Sequence, residues 1–178
     1  MTKWWAAVAV LVTIAKIAAA EPLHPLTIAL KMTNEARVPA HVLEESQDEV
    51  ARIFARAGLT VRWTDTEPRF TVQIVPQVLG YGRAGSPVMG VALRRPNSAK
   101  AQVFFKQVED FARAHRVQTG SVLAYVIAHE IGHLLLPGSP HSPTGLMQAQ
   151  WDRALVHNAA TGSLTFTDAQ AARILASR

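Results

Sequence analysis

The sequence predicts an α+β (mixed α/β) domain in which helices pack against a mixed, twisted β-sheet. Three observations point there. Short runs of β-forming residues are interleaved with helical stretches rather than gathered in one block. Pro39 to Ala57 carries amphipathic helical periodicity, so this long helix has one face to bury. A second long stretch, from about Gly120 to Leu136, is apolar nearly all round, as a helix inside a core is. At 178 residues the chain has room for one domain with a real core, not for two.

In chain order, the first segment is set apart from the domain. Met1-Thr2-Lys3 is a basic start, Trp4 to Ala15 an apolar run, and Ala18-Ala19-Ala20 a small-residue cleavage site before Glu21-Pro22. This layout predicts a secretory signal peptide over residues 1–20 and a single domain over 21–178. The apolar run is too short to span a bilayer and Lys16 interrupts it, so no membrane association is expected after cleavage.

Leu26 to Met32 reads as the first strand. In the helix that follows, Leu43, Val50, Phe54 and Ala57 share a stripe. Glu44, Glu45, Asp48, Glu49, Arg52 and Arg56 are expected on a solvated face, with Asp48 and Arg52 paired at i,i+4. Gly58 suits a left-handed cap. Leu59 to Trp63 and Phe70 to Val75 read as strands. Val88 to Leu93, short and followed by Arg94-Arg95, reads as an edge strand. Ala101 to Phe105 is a further strand, and a helical stretch lies around Val108 to His115. The apolar helix is expected to start at Thr119 or Ser121 as N-cap and to stop at Pro137-Gly138. The remainder reads as irregular until Thr167-Asp168-Ala169-Gln170, a capping-box start to a terminal helix ending near Ser177.

Composition excludes some functions. The chain has no cysteine, which fits a bacterial periplasm or exterior, so a secreted or periplasmic protein is expected. Any metal must then be held by His, Asp or Glu. The formal net charge is +5, and subtracting Lys3 and Lys16 leaves +3. The basic residues are scattered, with no interleaved aromatic platform, so no nucleic-acid partner is expected. No internal repeat is present, and a monomer is expected.

The most informative feature is His129-Glu130-Ile131-Gly132-His133. Two histidines four apart on a helix lie about 40° apart around its axis, one turn from each other, so both imidazoles can reach one ion. Glu130 projects beside that face, placed to take a proton from a metal-bound water rather than to bind the ion. Two histidines and a glutamate on one helical surface are also a common arrangement without a metal. Here the preceding turns, Val122 to Ala128, are strongly apolar, and such polar groups are costly there without a partner. Gly132 costs about 1 kcal/mol of helix propensity against Ala, which suggests close packing at this point.

A catalytic zinc ion takes three protein ligands and a water. No glutamate follows Glu130, so the third ligand is to be sought among His141, Asp152, His157 and Asp168. His141 is favoured because Pro137-Gly138 turns the chain back within a few residues. His157 reads as a surface histidine. His24, His41 and His115 precede the motif and read as ordinary. Tyr125, one turn before His129, reads as core.

Residues 122–147 resemble the metzincin metallopeptidases, whose signature is His-Glu-x-x-His-x-x-Gly-x-x-His followed by a methionine-bearing turn. His129, His133 and His141 match the three ligands, Glu130 the general base, Gly138 the turn glycine and Met147 the turn methionine. His141-Ser142 and Gly145-Leu146-Met147 look most like the matrix-metallopeptidase branch. This chain has two more residues between His133 and His141 than the signature. A longer helix or a wider turn would absorb them. The resemblance implies Zn²⁺ as cofactor, a metzincin-like fold and a peptide or protein substrate. The expected activity is a secreted zinc-dependent endopeptidase in which Glu130 activates the zinc-bound water. The alternative is a zinc-binding protein of similar fold without peptidase activity.

Gly80-Tyr81-Gly82-Arg83-Ala84-Gly85 matches a dinucleotide fingerprint, but no helix opens after it, so the phosphate-binding helix terminus is missing. It reads as a loop before the edge strand.

Overall fold

A computed structural model describes residues 26–77, 88–138, 141–151 and 153–177. The expected signal peptide, His24, the Gly80–Gly85 loop and Asp152 lie outside the described residues. The elements are β1 (Leu26–Asn34), α1 (Ala40–Arg56), β2 (Leu59–Trp63), β3 (Phe70–Val75), β4 (Gly90–Arg95) and β5 (Ser98–Phe104). They are followed by α2 (Phe105–His115), α3 (Thr119–Leu135), α4 (Arg153–Ala160) and α5 (Asp168–Ala176).

The sheet order is β2-β1-β3-β5-β4, parallel except for β4, which runs antiparallel to β5 at the edge. Parallel neighbours need a crossover, and α1 supplies the one between β1 and β2. Burial alternates along β1, β3 and β5, so one face is apolar and the other polar. Ile28, Leu30, Val72, Ile74, Ala101 and Val103 form the apolar face, all fully buried. On the polar face Gln73 of β3 links β5 to the turn after β1: it donates to Glu35 and accepts from Lys100 and Gln102. α1 and α3 pack against the sheet and each other, giving the α+β layout, helices on a mixed twisted sheet, that the element order predicts.

Four details differ from the sequence reading. The acidic face of α1 is not wholly solvated. Glu49 is buried, accepts a hydrogen bond from the Tyr125 hydroxyl at 3.0 Å, and is the carboxylate that pairs with Arg52, in place of Asp48. A charge in a dry interface needs such partners, and the sequence does not reveal a tyrosine 76 residues away. The N-cap of α3 is Gln118, with no side-chain cap bond. Thr119 is already helical, and Ser121 donates to Glu45 instead. β4 begins at Gly90 and includes Arg94 and Arg95, two residues later than read. And α4 occupies part of the segment read as irregular, burying Leu155, Val156 and Ala159.

Other expectations stand. Gly58 (φ +76) sits just past the C-cap of α1 in the left-handed region. Thr167 and Gln170 form the capping box of α5. Tyr125 is core, with no exposed surface.

Candidate metal centre

α3 carries the site. Its length from Thr119 to Leu135 is almost entirely buried, which fixes the rotation of the helix and so the direction in which His129 and His133 leave it. β5 runs directly into α2, and Arg116, in the left-handed region (φ 56), turns α2 into α3. His129 is buried, His133 half-buried and His141 exposed.

The three imidazoles converge. Nε2 of His133 lies 3.1 Å from Nε2 of His129 and 3.2 Å from Nε2 of His141. One ligand atom from each of the three falls within a 4.8 Å group. Two nitrogens bound tetrahedrally to one ion at 2.0–2.1 Å would stand about 3.3 Å apart. The ring of His133 is nearly perpendicular to the other two, at 83° and 84°. The rings of His129 and His141 lie near parallel, 5.3 Å apart between centroids, with His133 standing across them.

The protonation states suit a metal. Nδ1 of His129 is 2.8 Å from the carbonyl oxygen of Leu146. A carbonyl only accepts, so Nδ1 carries the proton and Nε2 keeps its lone pair. Burial pushes His129 down to about 4, with the neighbouring imidazoles adding to the effect. His133 is lowered too, by burial first and then by His141. Neutral imidazoles are the form that binds a cation. The donor set fits a divalent metal ion.

The turn below the histidines explains how His141 arrives. α3 ends at Leu135, and Gly138 (φ +75) stands in the left-handed region three residues beyond, so His141 is reached from a connection and not from a longer helix. The Ser142 backbone donates to the Met147 carbonyl, and the Leu146 backbone to Thr165. Gln170, in the first turn of α5, donates to the Ser142 hydroxyl at 3.0 Å. Met147 is buried against α3. A Cβ on Gly132 would meet its sulfur at 2.5 Å and the Phe166 ring at 2.9 Å. Gly132 is therefore the gap into which the turn packs.

Glu130 is buried at 7 % exposure and faces the edge strand. A Cβ on Gly90 of β4 would stand 2.8 Å from its Cγ and 3.0 Å from Oε1. Burial raises its carboxyl to about 8. Positive charge held at the histidines would favour the anion and draw that value back down.

A cleft of about 980 Å³ opens over the site, and Met89 to Ala92, Phe111 and Trp151 are among the residues that line it. His129, Glu130, His133 and His141 all reach it. Of the other ligand candidates, His157 on α4 and Asp168 on α5 are exposed and stand outside the histidine group. His41 is exposed on α1, whereas His115, read as ordinary, lines the cleft. Three contributors escaped the sequence reading: the Leu146 carbonyl, Gly90 and the cleft-facing side of α2. Only the last had a signal, residues recurring at helical spacing. No family model matches the chain, and no curated protein matches it.

Proposed function

We propose that this chain is a metzincin-type zinc endopeptidase, exported by its N-terminal segment. The observation that carries the reading is the convergence of three imidazoles beside a buried carboxyl, in an open cleft edged by a β-strand. A three-histidine set is a known donor set for catalytic zinc, with one coordination position left for the reaction. His129, His133 and His141 would hold the ion. Zinc would supply Lewis acidity, polarising the scissile carbonyl and making a water molecule acidic near neutral pH.

The remaining work falls to the chain. Glu130 accepts a proton as the water oxygen adds to the carbonyl carbon, and returns it to the amine nitrogen as the C–N bond breaks. Burial raises its pKa and the ion's charge would lower it again, and these opposed effects suit a group that both takes and returns a proton. β4 is the antiparallel edge of the sheet, and an extended substrate can continue the sheet through main-chain hydrogen bonds. The Leu146 carbonyl keeps His129 in the tautomer that presents Nε2 to the ion.

The test compares wild type with Glu130→Ala on unfolded casein, with zinc content measured in both. Cleavage by the wild type alone, with zinc in both, is the expected result. Equal activity in the two would overturn the reading.

A further inference from the structure

Helices α1 and α3 are tied by hydrogen bonds at matched heights. Ser121 donates to Glu45 at 3.3 Å, and Tyr125 donates to Glu49 at 3.0 Å. The two donors are four residues apart and so are the two acceptors, which puts one bond a turn beyond the other on both helices. The helices therefore run the same way, and the bonds act as rungs between them. His129 is the next residue of α3 on that stripe, and its ring bonds to the Leu146 carbonyl at 2.8 Å. One stripe of α3 thus carries three directed contacts, two to α1 and one to the turn that holds His141.

The rungs are built at close quarters. A Cβ on Gly120 would stand 2.9 Å from the Cβ of Glu45, so a glycine there lets α1 come this near the first turn of α3. Glu49 and Tyr125 are buried. Both carboxylate oxygens of Glu49 are engaged, Oε1 by Tyr125 and Oε2 by Arg52 at 2.5 Å. Around them α3 is aliphatic, with Val122, Leu123, Val126 and Ile127 all buried. Burial fixes how such a helix is turned, but a small slide along its axis trades one aliphatic contact for another. A hydrogen bond between fixed partners weakens over the same slide, so the rungs set the height of α3 on α1.

We propose that Glu49 and Tyr125 are positioning residues of the metal centre: through them α1 sets the height of α3, so that His129 and His133 stand where His141 meets them. Neither side chain belongs to the histidine group. They act through the helix, because ligand atoms around one ion tolerate displacements of only a few tenths of an ångström. The inference rests on the metal centre of the peptidase reading, not on peptide cleavage.

Zinc affinity is measured by competition with a chelator, and the visible d–d bands of the cobalt-substituted protein are recorded at full loading. Tyr125→Phe and Glu49→Leu each remove a rung. Each is expected to weaken zinc binding by about fivefold or more and to shift the cobalt bands. Glu49→Gln keeps a group able to bond the Tyr125 hydroxyl, and is expected to stay within about twofold of wild type. Ile28→Ala, in the fully buried core of β1, controls for lost stability alone. It is expected to melt earlier with zinc affinity and cobalt bands unchanged. Rung variants that hold both metals as the wild type does, or as weakly as Ile28→Ala does, overturn the inference. So does a Glu49→Gln variant no better than Glu49→Leu. Should a rung variant fail to fold, Ser121→Ala, at the partly buried rung, decides by the same two readings. A wild type that binds zinc but leaves casein intact ends the peptidase reading, while the metal readings still decide this inference. A wild type that takes up neither metal overturns both.

Discussion

The sulfur of Met147 lies 2.5 Å from the point where a Cβ on Gly132 would stand. The turn that delivers His141 is thus seated in a gap on the helix that carries the other two histidines. Gly132→Ala gains about 1 kcal/mol of helix propensity, yet it forces Met147 and Phe166 to move, and overpacking costs about 1–3 kcal/mol. The expected outcome is a lower melting temperature and weaker zinc binding. Adding Met147→Ala should restore part of both, because the two changes act on one contact. Thermal melts and zinc titrations of the single and double variants check this.

Metal removal should be felt as lost stability. A ligand bound only by the folded state stabilises it by mass action, about 4 kcal/mol when its free concentration is a thousandfold above Kd. A chelator is therefore expected to lower the melting temperature of wild type and to leave His133→Ala unmoved.

The three histidines should differ in the metal-free protein. His141 is exposed, so His141→Ala should abolish tight zinc binding while the metal-free melting temperature stays near wild type. His129 is buried and hydrogen-bonded to Leu146, so His129→Ala should lose zinc and destabilise the metal-free fold as well. Equilibrium unfolding in excess chelator separates the two effects.

Glu130 sets a pH dependence in the metal-free state. Burial holds its carboxyl at about 8, well above the ordinary 4.5. Below the ordinary value the carboxyl is neutral both folded and unfolded, and costs nothing extra. As pH rises from 4.5 to 8 the unfolded chain ionises first, so stability is lost, and above 8 the loss is complete. Glu130→Gln removes that loss. Its melting temperature in chelator should exceed that of wild type by a margin that widens from pH 4.5 to 8 and then levels off. His129 acts oppositely, costing stability as pH falls from the ordinary 6.5 towards 4, but it does so in both proteins and cancels in the difference.

Gly90→Ala tests how closely the edge strand must approach Glu130. A methyl group there would stand 2.8 Å from Cγ, so the carboxyl must be displaced. The expected result is at least a tenfold fall in kcat with zinc content at the wild-type level. Steady-state kinetics alongside metal analysis reads both.

Much of this architecture is legible in the sequence, and the exceptions have physical causes. The strands and the long helices announce themselves by periodicity, because each buries one continuous face. His129 and His133 are legible for the same reason: helical spacing alone puts them on one surface. His141 is legible only as the favourite among four residues, since its position depends on a turn fixed by Met147, Thr165 and Gln170. Glu49 looks solvated because the sequence hides its partner Tyr125. The eight-residue α4 is short, and Leu155, Val156 and Ala159 give it only one turn's worth of apolar signal. The places of Glu49 and His141 rest on contacts between residues distant along the chain, whereas α4 lacks a strong local signal.

The link from Gln170 to Ser142 spans 28 positions. A nascent polypeptide synthesised as far as Gly162 already possesses every histidine of the cluster and the adjoining acid, yet lacks the helix that moors the third one. The protein is therefore expected to emerge inert, gaining its full grip on the ion only after the final helix has docked.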